Sequence, residues 1–360
     1  MIDGHNDLPW AMRVAYAYDL DVADLAAGVP SLQTDIPRLH AGGVTGQFWS
    51  VYVPSTLPEP DAVVATLEQI HFVHRMVQRY PHVFELARTA DEVEQARANG
   101  RIASLIGMEG GHSIACSLAV LRMMYDLGAR YMTLTHNDNT SWADSATDAP
   151  VHGGLTEFGR DVVREMNRLG MIVDLSHVSA DVMRQAIAVS AAPVMFSHSS
   201  ARAICDVPRN VPDDVLQLLP VNGGLCMVTF VAGFVSPAAA RWMNDTVAQI
   251  TEAGGNPGDW IEFETAAAAR RLTVPMPSAT IADVVLHLEH VRAVAGIEHV
   301  GIGGDFDGTS MLPDGLTDVG GYQRLFDALR ERKWSPGEIE QLSRGNALRV
   351  LRAAEATATR

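Results

Sequence analysis

Two kinds of hydrophobic spacing alternate along this chain. Eight short runs, at 1–7, 44–53, 102–108, 131–135, 171–176, 193–197, 224–230 and 299–304, are mostly continuous in their apolar residues. Strands covered on both faces read this way, and strands separated by helical sequence predict βαβ units in a parallel sheet. The segments between them carry a helical period. Leu155, Phe158, Val162, Met166 and Leu169 fall on one helix face, and Gly170 follows as a stop signal. Ser117 is placed to cap a helix carrying Leu118, Leu121 and Tyr125, which Gly128 closes. Ser335-Pro336-Gly337-Glu338 reads as an N-cap, a first-turn proline and a capping-box glutamate, opening a helix with Ile339 and Leu342 inward. Residues 233–280, rich in Ala, Asn and Gly and holding Trp242 and Trp260, predict a helical excursion between the seventh and eighth strands, a lid or a subunit contact. Eight β units, most followed by helical sequence, predict an α/β chain folded as a single (β/α)8 TIM barrel domain over 1–360.

In that fold the chemistry sits where strands give way to loops. His5 and Asp7 close the first run and, two apart, share one face of a strand. Glu109 follows the third run between glycines, where burying a carboxylate without a cation is expensive. The later runs lead to His136, His177, His198 and Asp305. Any one of these alone reads as a hydrogen-bonded core or rim residue. Six of eight strands delivering His, Asp or Glu to one barrel mouth predict a metal centre. Imidazole and carboxylate without thiolate suit Zn²⁺ and its first-row neighbours. His5, Asp7, Glu109, His177 and His198 exceed what one ion needs, so two are predicted. They would lie about 3.5–4 Å apart and share a hydroxide whose pKa they depress. No lysine stands at a strand end to bridge them, which leaves Glu109 as the bridge.

Other candidates read more plainly. His112 braces the loop after Glu109, and Asp307 orients its neighbour Asp305. His40, His71, His74, His82, His152, His287, His290 and His299 read as solvated. Gly301-Ile302-Gly303-Gly304 falls inside a strand with no helix after it, so it does not read as a phosphate loop.

Composition narrows the partners. The 360 residues carry 27 Lys+Arg against 43 Asp+Glu, a net charge of −16, which disfavours nucleic acid as a partner. Hydrophobic residues make up 47%, ample for a core. The three cysteines, Cys116, Cys205 and Cys226, lie in largely apolar runs and predict buried free thiols, not a disulfide scaffold. The chain opens Met1-Ile2-Asp3-Gly4-His5 without a cationic start. Its most apolar stretch, 223–235, is broken by Gly233 and too short to span a bilayer. A cytoplasmic protein with no membrane partner is the expectation.

The motifs His5-Asn6-Asp7, Gly107-Met108-Glu109-Gly110-Gly111-His112-Ser113, Leu134-Thr135-His136-Asn137 and Asp174-Leu175-Ser176-His177 share this order with a known family. So do Phe196-Ser197-His198-Ser199-Ser200-Ala201-Arg202, Pro208-Arg209-Asn210 and Gly303-Gly304-Asp305-Phe306-Asp307-Gly308. Together they resemble the membrane (renal-type) dipeptidases, zinc peptidases among the amidohydrolase-like barrels. The resemblance implies that His5 and Asp7 bind one zinc, His177 and His198 the other, and Glu109 both. It implies Asp305 as the acid/base group that passes a proton to the leaving amine, His136 as the group steadying the oxyanion, and Arg209 as the grip on the substrate carboxylate. These roles also suit the chemistry: a developing oxyanion needs a donor, and a free carboxylate invites a forked guanidinium. Relatives often accept a D-residue at the C-terminal position, and some open β-lactams. Members are commonly homodimers. The leader, C-terminal anchor signal and extra cysteines of mammalian members have no counterpart here, so a bacterial cytoplasmic relative is expected. The metal ligands alone would equally serve a lactonase, deaminase, β-lactam hydrolase or N-acyl amino acid deacylase. A non-catalytic metal-binding scaffold is a rival of another class, but every expected catalytic position is filled. Side-chain preference has no readable code.

Overall fold

The computed structural model describes residues 1–359. Nine strands form one all-parallel sheet: β1 (Ile2–Asn6), β2 (Gly46–Ser50), β3 (Phe84–Leu86), β4 (Ile102–Glu109), β5 (Ala129–Thr133), β6 (Ile172–Asp174), β7 (Met195–Phe196), β8 (Leu225–Val228) and β9 (Val300–Ile302). The hydrogen-bonded order is β1-β2-β4-β5-β6-β7-β8-β9. The ring then closes between its ends, where Asp305 N donates to the His5 carbonyl at 3.2 Å and Asp7 N to the Phe306 carbonyl at 2.8 Å. Eight strands of a parallel barrel surrounded by helices is the architecture that the alternating pattern predicts.

The ninth strand, β3, was not among the eight predicted. It is three residues long and pairs only with the first part of β4, Phe84 opposite Ile102 and Leu86 opposite Ser104, off the path of the ring. A half-buried Phe-Glu-Leu segment gives too short a pattern to read. The strands are also shorter than their apolar runs. β6 stops at Asp174 and β7 at Phe196, because the residues that follow leave the ladder to carry the site.

Local sequence explains the helices. Thr156 caps Glu157–Leu169, accepting from Gly159 N, and Gly170 ends it at φ +81°. Ser117 caps Leu118–Asp126 by accepting from Val120 N. The Ser335/Glu338 capping box forms, and the helix it opens passes through a π turn at Gln341–Gly345 into Asn346–Thr357. Leu348, Val350, Leu351 and Ala354 of that last helix pack in one cluster with Phe48, Leu105, Tyr131, Ile172, Met195 and Met227 of successive strands. The interior of the barrel is therefore filled with side chains. After β8 come helices Ala232–Val235, Pro237–Glu252 and Trp260–Arg271. Among the described residues no helix is long and apolar enough to cross a membrane.

Three sequence expectations fail. His287, expected in solvent, is fully buried on Ile281–Ala295, taking a hydrogen bond from Ala201 N and facing the Val235 carbonyl. His299 is buried as well, bonded to the Gly224 carbonyl. Cys116, expected buried, is exposed beside Ser141, because a left-handed turn at Ala115 and Cys116 rolls it outward.

Candidate active site

The strand ends converge as the barrel geometry requires. His5 stands near the end of β1 and Asp7 one residue beyond it, while Glu109 is the last residue of β4. His5 Nε2 lies 3.3 Å from Asp7 Oδ2, 3.2 Å from Glu109 Oε2 and 3.9 Å from Asp305 Oδ1. On the other carboxylate oxygen, Glu109 Oε1 lies 3.0 Å from His177 Nε2, 3.4 Å from His198 Nε2 and 3.8 Å from His136 Nε2. Glu109 thus shows one oxygen to the His5 and Asp7 side and the other to the His177 and His198 side. Ser50 Oγ, on neighbouring β2, donates to Oε2 at 2.9 Å.

The ring nitrogens that face away from this centre are partly anchored. His5 Nδ1 lies 2.8 Å from the Tyr131 hydroxyl, and His198 Nδ1 lies 2.7 Å from Ser197 Oγ. The turns that aim the side chains are strained. His177, Asp305 and Asp307 hold φ values of +68°, +62° and +64°, which side-chain-bearing residues rarely adopt. Asp307 fixes the Asp305 turn, exchanging bonds with Gln33 through its carboxylate and its backbone N–H. His112 bonds the Val53 carbonyl and braces the loop after Glu109.

Divalent cations fit this donor set. His5 Nε2 and Asp7 Oδ1 are buried with no hydrogen-bond partner. The Nε2 atoms of His177 and His198 face each other at 2.9 Å. His5, Glu109 and His198 offer ligand atoms within 4.8 Å of one another, as do Glu109, His136 and His177, and His5, Asp7 and Asp305. Burial pushes Glu109 toward its neutral form, but His5 and the bonds to His177 and His198 hold it well below the usual carboxylate range. Burial instead raises Asp7 and lifts Asp305 well above that range, Asp7 and Glu109 adding to the effect on Asp305. Burial pushes His177 and His198 well down, with Arg209 contributing at both. Carboxylates crowded together out of water are what bound cations relieve.

Beside this centre opens a cleft of about 640 Å³, lined by Asp7, Glu109, His136, His177, Arg209 and Asp305 and walled by Trp10, Tyr52, Phe234, Met243 and Trp260. His136 is buried, and burial, against the pull of Glu109, takes its pKa down to about 4, so at neutral pH it is an uncharged donor. Arg209 is 3% exposed. Its guanidinium stacks on Phe234 at 5.2 Å and reaches only Ser199 Oγ at 3.5 Å and the His198 carbonyl at 3.4 Å. Among the described residues no carboxylate lies within 4.0 Å of it. Six of the eight residues singled out from the sequence therefore line one cleft, and His5 and His198 lie buried behind it against Glu109.

Sequence reasoning passed over the supporting polar residues. Ser50, Tyr131, Thr133 and Asp174 are each completely buried in otherwise apolar strands. A polar side chain inside such a run was the available signal. Trp260, which donates to the Gly308 carbonyl at 2.6 Å, reaches the cleft from the excursion, where no periodicity marks it.

A profile of the membrane dipeptidases, peptidase family M19, matches residues 1–360. Mouse Dipeptidase 3 is 41% identical over 99% of this chain, and Dipeptidase verJ of Clonostachys rogersoniana is 40% identical over 99%. The chain spans 64% of the mouse protein's length and 84% of the fungal one's. The crystal structure of the probable dipeptidase PvdM from Pseudomonas aeruginosa superposes with a TM-score of 0.82 at 25% identity, covering 91% of this chain and 90% of that one. The chain belongs to the membrane dipeptidase family.

Proposed function

We propose that this chain is a metal-dependent dipeptidase, cleaving the single peptide bond of dipeptides with two zinc ions held by His5, Asp7, Glu109, His177 and His198. The observation that carries the reading is Arg209. A guanidinium that is buried without an anion costs several kcal/mol. It stands in the cleft wall with no carboxylate within ion-pair distance, only the more distant fields of Asp305, Glu109 and Asp174 favouring its charge, and its planar fork suits a ligand's carboxylate. Arg209 lines the same cleft as Asp7, Glu109 and His177, which supports a substrate whose carboxylate lies near its amide.

Bound at the centre, the ions supply a Lewis acid for the scissile carbonyl and a water acidic enough to attack at neutral pH. The chain's own groups do the rest. Neutral His136 donates a hydrogen bond to the oxygen that becomes negative during attack. Asp305, as the carboxylate, would take a proton from the attacking water and, as the acid so formed, deliver it to the departing amine nitrogen. Arg209 fixes the register by holding the terminal carboxylate. We extend the reading to dipeptides with a D-residue at the carboxyl end, as the family resemblance implies.

A panel of L-Xaa-L-Xaa and L-Xaa-D-Xaa dipeptides, each also as its C-terminal amide, tests this with zinc present. Turnover of free acids with at least a hundredfold lower kcat/KM on the amides is expected. Equal turnover of acids and amides, or turnover of a neutral lactone and of no dipeptide, overturns it.

A further inference from the structure

We infer that Asp174 sets the tautomer of His198 through the hydroxyl of Ser197, so that the Nε2 lone pair already faces the metal centre before any metal arrives. The inference rests on His198 being a metal ligand, as proposed above.

Asp174 ends β6 and is completely buried. Its two oxygens are occupied differently. Oδ1 accepts from two backbone amides, Ser176 N at 3.1 Å and Ser197 N at 2.8 Å. Oδ2 accepts from two hydroxyls, Thr133 Oγ1 and Ser197 Oγ, each at 2.6 Å. Ser197 Oγ is in turn 2.7 Å from His198 Nδ1. A carboxylate only accepts, so the Ser197 proton points at Asp174 and its oxygen is left to accept from His198. Nδ1 then carries the imidazole proton, and Nε2 is the unprotonated nitrogen aimed at Glu109 and His177.

The other imidazoles of the centre are arranged otherwise. His5 Nδ1 meets the Tyr131 hydroxyl, whose own proton is directed at the Gly4 carbonyl at 3.3 Å. His177 Nδ1 has no partner. The Asp174 relay therefore acts on His198 alone.

The two backbone donors make the relay switchable by one atom. In Asp174→Asn the amide oxygen must take the Oδ1 place, because Ser176 N and Ser197 N have only protons to offer. The amide NH₂ then faces the hydroxyls, which rotate. Ser197 becomes the acceptor from Asn and donates to His198 Nδ1, which moves the imidazole proton onto Nε2 and blocks the lone pair. Ser197→Ala only deletes the link and leaves the tautomer free. Thr133→Val removes one bond to Asp174 and leaves the relay intact.

The test reads His198 directly, by ¹⁵N shifts in metal-free, histidine-labelled full-length protein, with the resonance assigned by a His198→Gln comparison. Zinc affinity of the same proteins is measured by competition with a chromophoric chelator. Expected are the Nδ1–H form in the parent and in Thr133→Val, a mixture in Ser197→Ala, and the Nε2–H form in Asp174→Asn. Zinc affinity at one site should fall about 10- to 100-fold in Asp174→Asn and less in Ser197→Ala, while His5 keeps its shifts. The Nδ1–H form persisting in Asp174→Asn refutes the relay, as does parental affinity there. Should Asp174→Asn not fold, a pure Nδ1–H form with parental affinity in Ser197→Ala refutes it equally. Because the tautomer is read without metal or substrate, a protein that cleaved no dipeptide would sink the functional reading and still decide this one.

Discussion

Replacing Arg209 by methionine should make the protein more stable and less active. Burial pushes the guanidinium down to about 10, so the folded protein holds the charge at a cost of roughly 3 kcal/mol. Little is recovered locally. The contact with Phe234 contributes about 0.5–1 kcal/mol, and the bonds of 3.4 and 3.5 Å to the His198 carbonyl and Ser199 Oγ are long for hydrogen bonds. Methionine fills a similar volume without the charge. Urea unfolding at pH 7 should therefore show a gain of about 1–3 kcal/mol. On a free-acid dipeptide the lost ion pair is worth about 2–5 kcal/mol, so kcat/KM should fall roughly 30- to 5000-fold. The amide of the same dipeptide should be nearly unaffected. A variant that loses more than about 1 kcal/mol of stability while keeping its kcat/KM on the free acid would refute the reasoning, since Arg209 would then be a structural residue.

Three other perturbations follow from the geometry. His287, buried away from the site, is taken down to about 4 by burial, so the unfolded chain binds its proton first. Stability should fall by up to about 3 kcal/mol as pH drops from about 6.5 to 4. His287→Gln, which can still accept from Ala201 N and donate to Val235, should flatten that slope in urea titrations; an unchanged slope contradicts the assignment. In Gly303→Ala the added Cβ would lie 1.8 Å from the Ser197 carbonyl oxygen, a fixed backbone atom. A loss of more than about 2 kcal/mol together with weakened zinc binding is expected, measured by unfolding and chelator competition. His136→Ala should lower kcat about 10²- to 10³-fold with KM nearly constant, because its donor serves the transition state; steady-state kinetics on one good dipeptide decides, and a change confined to KM contradicts the role.

Long patterns were legible and short or three-dimensional ones were not. The eight barrel strands announced themselves because parallel strands covered on both faces must be apolar throughout. Three-residue β3, half-exposed, had no such requirement to betray it. Seven of the site residues could be named because each stands at the end of such a run, where a charged group has no packing purpose; Arg209, on the loop after the sixth run, was named only through the resemblance. His287 was misread although Val284, Leu288 and Val291 mark its side of Ile281–Ala295 as buried; its type suggested water, and the spacing was the better guide. The burial of Arg209 and the meeting of Asp174 with Ser197 depend on how β6 and β7 end relative to each other, which no local pattern encodes.

The proposed mechanism needs Glu109 to serve two cations at once. Anomalous diffraction from zinc-equilibrated crystals, with metal content per chain determined on the same protein, tests it most directly. Expected are two peaks, one against Glu109 Oε2 with His5 and Asp7 and one against Oε1 with His177 and His198, and two zinc ions per chain. A single peak at saturating zinc, or Glu109 turned away from both histidine pairs, would contradict it.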